Sequence, residues 1–328
     1  MTILHTLHWV QFAGTEKVCV DLCNELSKEH TVYLLTNEKI KPYINENVNL
    51  VEVDFEKNRY NPFFLYQVSK ILERINPDVI HIHNTKELEI IYNARFFMQK
   101  KVPIIGSRHN PILKKKFALA DMGVAVSDET RIYTNAKRNI TILNGIPYKD
   151  VEDFGKNEKF TIVGIGRLAP VKGFHTLIKA LSKIDFDFKL NIVGEGEQKQ
   201  ELQNLIKSLA LDDKIQLVGF VRNVQDYIHN SDLQIISSSE EGLSLALIEG
   251  IFYAKVLVAT DIANHKELLG ENLVFDNNIE AFVEKLNDVN KNYAKYIKLF
   301  EKIKQTKDNY SIEKMVKQYV EAYKTLIK

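Results

Sequence analysis

Short apolar runs alternate with amphipathic stretches along the whole chain, the pattern of strand, loop and helix units laid into parallel layers rather than of a sandwich or a bundle. In the first half, runs rich in β-branched residues predict strands at residues 3–7, 31–36, 49–53, 79–83, 104–107, 122–126 and 141–143. Their apolar continuity predicts burial on both faces. The first helix is expected to follow Gly14, with Thr15 as its cap and Val18, Cys19, Leu22, Cys23 and Leu26 along one face.

Residues 147–159 are polar, charged and aperiodic, and a fresh strand is predicted at 160–165, so a domain boundary falls there. The alternation then resumes. Helical stripes run through Phe174, Leu177, Ile178 and Leu181 and through Leu202, Leu205, Ile206 and Leu209, with strands at 190–193, 215–218, 233–237 and 256–260. After Asp261 the helices are lysine-rich, and the last, over 312–327, carries Val316, Tyr319, Val320, Tyr323 and Leu326 as its apolar stripe. The expected division is 1–150 and 151–309, each a Rossmann-like α/β domain, with 310–328 as a helix that crosses back to brace the first.

Composition narrows the function classes. A chain of 328 residues suits two medium domains with a sizeable core. Its 44 Lys and Arg against 43 Asp and Glu give no whole-molecule field for nucleic acid, so any basic partner surface is local. Cys19 and Cys23, four apart in an apolar helical stripe, read as buried thiols of a reducing compartment rather than as a disulfide or a metal pair. The N-terminal residues lack a charged start followed by a sustained apolar core, and no uncharged apolar run reaches membrane-spanning length. A cytoplasmic protein is expected, soluble or peripheral on the inner face of the cell membrane.

In doubly wound sheets ligands bind beyond the carboxyl ends of the strands, which puts the chemistry in the loops that follow them. The first such loop of the second half, residues 164–173, holds Gly166, Arg167, Lys172 and Gly173 between a strand end and a helix start. Guanidinium, ammonium and a helix N-terminus together supply positive potential for a diphosphate. Residues 193–197 place Gly194 where the backbone can approach a ligand, and residues 218–221 end on Phe220 and Val221; each is a weak signal alone. Residues 237–249 carry Glu240, Glu241 and Glu249 around Gly242, Leu243 and Ser244, whose N–H groups would open a helix toward a phosphate. Glu249, further along and flanked by Ile248 and Ile251, has the chemistry to accept hydrogen bonds from ribose hydroxyls. Glu240 and Glu241 also suit the plainer role of helix N-terminal charge.

In this order and spacing, the arginine-to-lysine loop, the VGEGE loop and the EEGLSLALIE segment resemble the retaining glycosyltransferases of family 4, the glycosyl transferases group 1. The resemblance implies the GT-B fold, two Rossmann-like doubly wound parallel-sheet domains facing a cleft, and a metal-independent hexosyltransferase-type enzyme without a cofactor. It implies that Arg167 and Lys172 hold the donor diphosphate, that Glu249 binds the ribose and that Glu241 sits by the transferred sugar. Gly166, Gly194, Phe220, Val221, Gly242, Leu243 and Ser244 would then line the donor site. In the first half, Phe12-Ala13-Gly14-Thr15-Glu16 resembles the family's glycine-rich loop, with Ala13 where a second glycine is usual. DVIHIHN resembles its strand ending in His-x-His, His109 stands where the family has a histidine contacting the donor sugar, and ILNGIP resembles the segment before its linker. Ala254-Lys255-Val256 departs from the usual glycine and proline, a difference expected to touch packing rather than activity. The implied reaction moves a sugar, by family habit from UDP, to a hydroxyl of a glycan acceptor in cell-surface polysaccharide, lipopolysaccharide or lipid-linked oligosaccharide synthesis. Arg167, Lys172 and the helix N-terminus would absorb the charge of the departing diphosphate, while His109 and Glu241 orient the sugar.

Other readings of the same residues remain. His81 and His83 share one side of a strand, but spacing offers no third ligand, so paired histidines in a polar cleft wall are favoured over a metal site. Asp185-Phe186-Asp187 has the spacing of a metal-binding motif of another glycosyltransferase class, yet it precedes a strand, at the wrong end of the sheet, and reads as a turn. Lys100, Lys101 and residues 114–116, with Phe96, Phe97 and Phe117, are candidates for a basic, aromatic surface facing an anionic membrane; a solvated charged face explains them equally. A nicotinamide-dependent oxidoreductase fits the architecture but lacks Gly-x-Gly-x-x-Gly after the first strand. A GT-B epimerase or hydrolase that turns over the donor without an acceptor is the nearer rival. A non-catalytic sugar-binding module is disfavoured because both cations and both carboxylates occur together.

Overall fold

The β-branched runs of the first half pair side by side as β1 (Thr2–Thr6), β2 (Thr31–Thr36), β3 (Val48–Glu52), β4 (Val79–Ile82), β5 (Ile104–Arg108), β6 (Met122–Ala125) and β7 (Asn139–Thr141). All are parallel, in the order β3-β2-β1-β4-β5-β6-β7. The second half supplies β8 (Phe160–Ile165), β9 (Phe188–Val193), β10 (Ile215–Gly219), β11 (Leu233–Ile236), β12 (Leu257–Thr260) and β13 (Val274–Phe275). These form a second parallel sheet, in the order β10-β9-β8-β11-β12-β13. This computed structural model describes residues 1–8, 12–109, 115–132 and 134–327, and the chain divides into two units, Met1–Pro147 with Asn309–Lys328, and Tyr148–Asp308.

Both sheets wind outward from their first strand in two directions, so each has a switch point, between β1 and β4 and between β8 and β11. Loops diverge there, and the crevice beyond the strand ends is where such folds bind ligands. Apolar residues of the strands around each switch point, such as Ile80, Ile82, Ile162, Leu233 and Val258, are fully buried, because helices cover both faces. The observed strands differ from the expected ones by a residue or two at their ends, and the two-residue β13 is too short to leave a periodic signal.

The first helix begins at Gly14 itself, and its cap is not Thr15. Ala13 is the N-cap, and the Glu16 carboxylate reaches back to accept from its N–H at 3.2 Å. The last helix, Ile312–Ile327, packs within the first unit against the helix Gly14–Leu26 and β4, burying Tyr319 and Tyr323. In the helix Pro62–Ile75 the Asn61 side chain accepts from Phe63 N–H at 3.0 Å and Phe64 N–H at 3.3 Å. That helix buries Phe64, Leu65, Val68 and Leu72 and leaves Phe63, Tyr66 and Lys70 outside.

The expected basic surface is redrawn by this packing. Phe117 is buried, under the Arg108 guanidinium at 5.1 Å, and Lys116 pairs with the buried Glu89. Lys114 lies outside the described residues. Among the described residues no helix is long and apolar enough to cross a membrane.

Candidate active site

In the second unit, the loop after β8 turns at Gly166 and runs through Arg167 to the single turn Pro170–Lys172. Gly173 follows with φ 69°, a left-handed conformation that opens the helix Phe174–Leu181. A Cβ on Gly173 would stand 2.0 Å from the Ser237 carbonyl oxygen, so this glycine lets the loop after β8 lie against the loop after β11. The Ser237 hydroxyl seals the contact by donating to the Lys172 carbonyl at 2.6 Å, and Ser239 N–H donates to that of Val171 at 2.8 Å. Switch-point neighbours are thereby locked together.

That contact sets two charges face to face. The Lys172 stem lies over Gly166, and its ammonium pairs with the Glu241 carboxylate, which also accepts from the Ser238 hydroxyl at 2.7 Å. Asn264, buried at the start of the helix Ala263–Leu269, donates to the carbonyls of Glu241 and Gly242, both at 3.0 Å. Its neighbour His265 donates from Nδ1 to the Thr260 carbonyl at 2.9 Å, and burial holds its pKa below the ordinary value. Just beyond, Ser244 is the N-cap of the helix Leu245–Tyr253 and makes no side-chain cap, nor does Gly173 for its helix. Neither helix N-terminus is therefore closed by the side chain of its own N-cap residue; one follows Lys172 directly, and the other begins four residues after Glu241. Arg167 is exposed, and Glu249 is buried on the second turn of the helix Leu245–Tyr253.

The glycine loops meet at one place. A Cβ on Gly194 would stand 2.0 Å from the Gly166 carbonyl oxygen, and Gly194 N–H donates to the Gly219 carbonyl at 2.9 Å. Gly166, Gly194 and Gly219 thus bring the ends of β8, β9 and β10 together, with Phe220 exposed and Val221 half-buried next in sequence. Asp185 and Asp187 sit before β9, at the opposite strand ends, where Asp187 pairs with Lys159 at 2.9 Å and Lys214 at 3.4 Å.

Gly14 and His109 belong to the first unit, near its own switch point. Thr6 donates to Glu87 at 2.7 Å, and Asn84 donates to the same carboxylate at 3.1 Å, as does the backbone of His8; burial nevertheless raises the Glu87 pKa. The reading that His81 and His83 lack a third partner is corrected. β1 sets His5 directly beside His81, and His5, His81 and His83 bring ring nitrogens within 4.8 Å of one another. The ring nitrogens of His81 and His83 are already engaged: His81 by the Tyr323 hydroxyl at 2.7 Å and Ser107 at 2.6 Å, and His83 by His5 and His109. Burial drives the pKa of His81 and His83 far down and that of His109 to about 4.

Sequence reading missed Ser238, Asn264 and His265 around Glu241, and His5 and Glu87 in the first unit. The strand-end rule applied to β12 would have drawn attention to Asn264 and His265; no local signal marks His5, whose partners are 76 and 78 positions away.

The profile of the family described as glycosyl transferases group 1 matches residues 148–309, and that of glycosyltransferase family 4 matches residues 12–147. An N-acetylgalactosaminyltransferase of Campylobacter jejuni, named for its action on N-acetylgalactosamine-N,N'-diacetylbacillosaminyl-diphospho-undecaprenol, is 35% identical, covering 90% of this chain and 94% of its own. A solved glycosyltransferase from Rickettsia africae superposes with a TM-score of 0.84 at 22% identity, over 100% of this chain and 98% of that one. Anabaena HepE in complex with UDP-glucose does so with a TM-score of 0.84 at 18% identity, over 99% and 100%.

Proposed function

Since the chain belongs to glycosyltransferase family 4 through both of its units, we propose that it is a retaining, metal-independent transferase that carries a sugar from a UDP-sugar to a hydroxyl of a glycan acceptor. The observation that carries this reading is the Lys172–Glu241 pair at the β8–β11 switch point, joined by the exposed Arg167 and by two helices whose N-cap residues make no side-chain cap. An arriving diphosphate gains Arg167, Lys172 and the positive ends of the helices Phe174–Leu181 and Leu245–Tyr253 as the charge on its leaving oxygen grows. Glu241, held by Ser238 and Asn264, is the carboxylate at hand for hydroxyls of the transferred sugar, and Glu249 for the ribose. With charge compensation supplied by the protein, EDTA is expected to leave transfer intact, and complete loss would overturn that part of the reading.

For the acceptor we propose a lipid-linked or surface glycan precursor at the inner face of the cell membrane, in polysaccharide, lipopolysaccharide or lipid-linked oligosaccharide assembly. Names of relatives support it: the Campylobacter enzyme acts on an undecaprenol-linked sugar, and a further relative, 22% identical, is an O-antigen biosynthesis glycosyltransferase of Escherichia coli. So does one surface of the first unit. Phe63 is 81% and Phe96 78% exposed, Tyr66 and Phe97 meet edge to face at 6.1 Å, and Lys70 lies 5.2 Å over Tyr66. Arg74, Lys100 and Lys101 extend it as exposed cations, with Lys100 reaching Asn76 at 3.5 Å.

A thermal-shift screen of nucleotide sugars followed by transfer to undecaprenyl-diphosphate glycans tests the reading. UDP-sugars are expected to raise the melting temperature, and product to form only with an acceptor. Donor turnover at an equal rate without acceptor would favour the epimerase or hydrolase instead.

A further inference from the structure

Three imidazoles of the first unit stand in line: His5 on β1, His83 beyond β4 and His109 beyond β5. His5 Nδ1 is 3.3 Å from His83 Nε2, and His83 Nδ1 is 3.2 Å from His109 Nε2, with successive rings only 21° and 18° from parallel. We propose that His83, backed by His5, is a positioning residue that fixes His109 in the tautomer whose Nδ1 carries the hydrogen, so that His109 offers an outward N–H to the donor sugar. This rests on the reading of His109 as the ring that touches that sugar.

The polarity follows from counting hydrogens. A neutral imidazole has one N–H, and each bond in the line needs one, so every ring must point its hydrogen the same way. If the line runs inward, it ends on an N–H at His5 Nε2. That atom is buried and has no hydrogen-bond partner among the described residues. Beside this ring lie the thiols of Cys19 and Cys23, whose sulfurs come within 4.8 Å of one of its nitrogens. A thiol sulfur is only a weak acceptor and an S–H only a weak donor, so either end is weakly met there, and an under-satisfied N–H in a core costs more than an under-satisfied lone pair. The line therefore runs outward: His5 donates to His83, His83 to His109, and His109 Nδ1–H is left at the partly exposed end, with no partner among the described residues.

The rings meet the condition of neutrality. Burial lowers the His83 pKa far below its ordinary value and that of His109 to about 4. His81 stands outside the line, with one nitrogen on Tyr323 and the other on Ser107. A ring so held presents a donor to a sugar oxygen in one orientation, without a charge that would compete for the diphosphate. A free ring would present a lone pair half of the time or turn away.

Long-range 1H–15N correlation of the histidine rings in the full chain at pH 7 reads the tautomers directly, with His109 identified by its loss in His109→Gln. The expected spectrum has His83 and His109 both protonated at Nδ1 and bare at Nε2; an Nε2–H or averaged His109 overturns the proposal. Two variants then test the role of His83. His83→Asn keeps an amide N–H near the position of Nδ1 and should hold the His109 tautomer and keep kcat within about threefold, whereas His83→Ala should release the ring and lower kcat about tenfold with the donor KM little changed. Equal behaviour of the two variants overturns the positioning role, and the wild-type spectrum decides the tautomer whether or not either variant folds. Failure of the underlying reading looks different: His109→Gln would transfer at the wild-type rate while the wild-type tautomer stayed as stated.

Discussion

Lys172 and Glu241 are separated by 69 positions, yet each was conspicuous in the sequence because it stands in a loop after a strand, where side chains have no packing duty to explain them. Their pairing with each other was not legible, since it depends on Gly173 letting one backbone touch another. The pairing separates two kinds of loss. Arg167→Ala removes an exposed cation and should leave the melting temperature unchanged while lowering kcat/KM by about 2 to 4 kcal/mol of transition-state stabilisation. Lys172→Ala should lose a similar amount of transfer and also strand Glu241, so Lys172→Ala with Glu241→Gln should recover stability but not transfer. Wild-type kcat/KM in both single cation variants would remove the diphosphate assignment. His109 gives a pH test. Its folded pKa of about 4 lies below the ordinary 6.5, so the unfolded ring takes up a proton first and its contribution to folding is lost as pH falls from about 6.5 toward 4. The stability difference between wild type and His109→Asn, from urea unfolding, should shrink across that window, by at most about 1.4 kcal/mol per pH unit. A difference constant from pH 7 to pH 5 would contradict a buried neutral ring.

The strands were legible almost to their ends, because buried parallel strands are written as β-branched runs that few other contexts demand. The contacts between loops were not. Gly166 and Gly194 were read as lining the donor site and Gly173 only as part of the loop before a helix, and the structure adds that two of the three make room for backbone: Gly173 for Ser237, and Gly194 for Gly166. Period and propensity carry no information on which loop meets which. Gly173→Ala places a side chain in both a left-handed conformation and a 2.0 Å clash with the Ser237 carbonyl, so the two loops must part. We expect a loss of about 2 kcal/mol or more in stability, a displaced Lys172, and UDP-sugar binding weakened beyond what the stability change explains. The control is Gly155→Ala, also at positive φ but with open space around it, which should cost only the conformational term, about 1 kcal/mol. Equal effects of the two substitutions on donor binding would show that the loop contact does not shape the site.

Across the whole molecule, composition excluded a global electrostatic partner and left only local surfaces, and burial decided which of the candidate lysines and aromatics could serve. Charge runs alone misdirected attention to residues 114–116 and Phe117, because sequence does not reveal that Glu89 sits buried opposite Lys116. What remains is a face whose aromatics come from the helix Pro62–Ile75 and from Phe96 and Phe97, with Lys70, Arg74, Lys100 and Lys101 around them and Glu73 compensating Lys70 at 2.6 Å. Aromatic rings at headgroup depth and cations near anionic phosphates act together, the latter at about 1 kcal/mol per residue and screened by salt. Co-sedimentation with phosphatidylglycerol vesicles should therefore be strong at low salt, fall with added NaCl, and be weak on phosphatidylcholine. Phe63→Ser with Phe96→Ser should reduce binding without altering its salt dependence, whereas Lys100→Glu with Lys101→Glu should flatten that dependence. The two pairs separate insertion from attraction, and transfer to a water-soluble acceptor should be untouched by either, since none of the four residues belongs to the donor site. No sedimentation with anionic vesicles at low salt would detach this surface from the membrane and leave the acceptor to be found in solution.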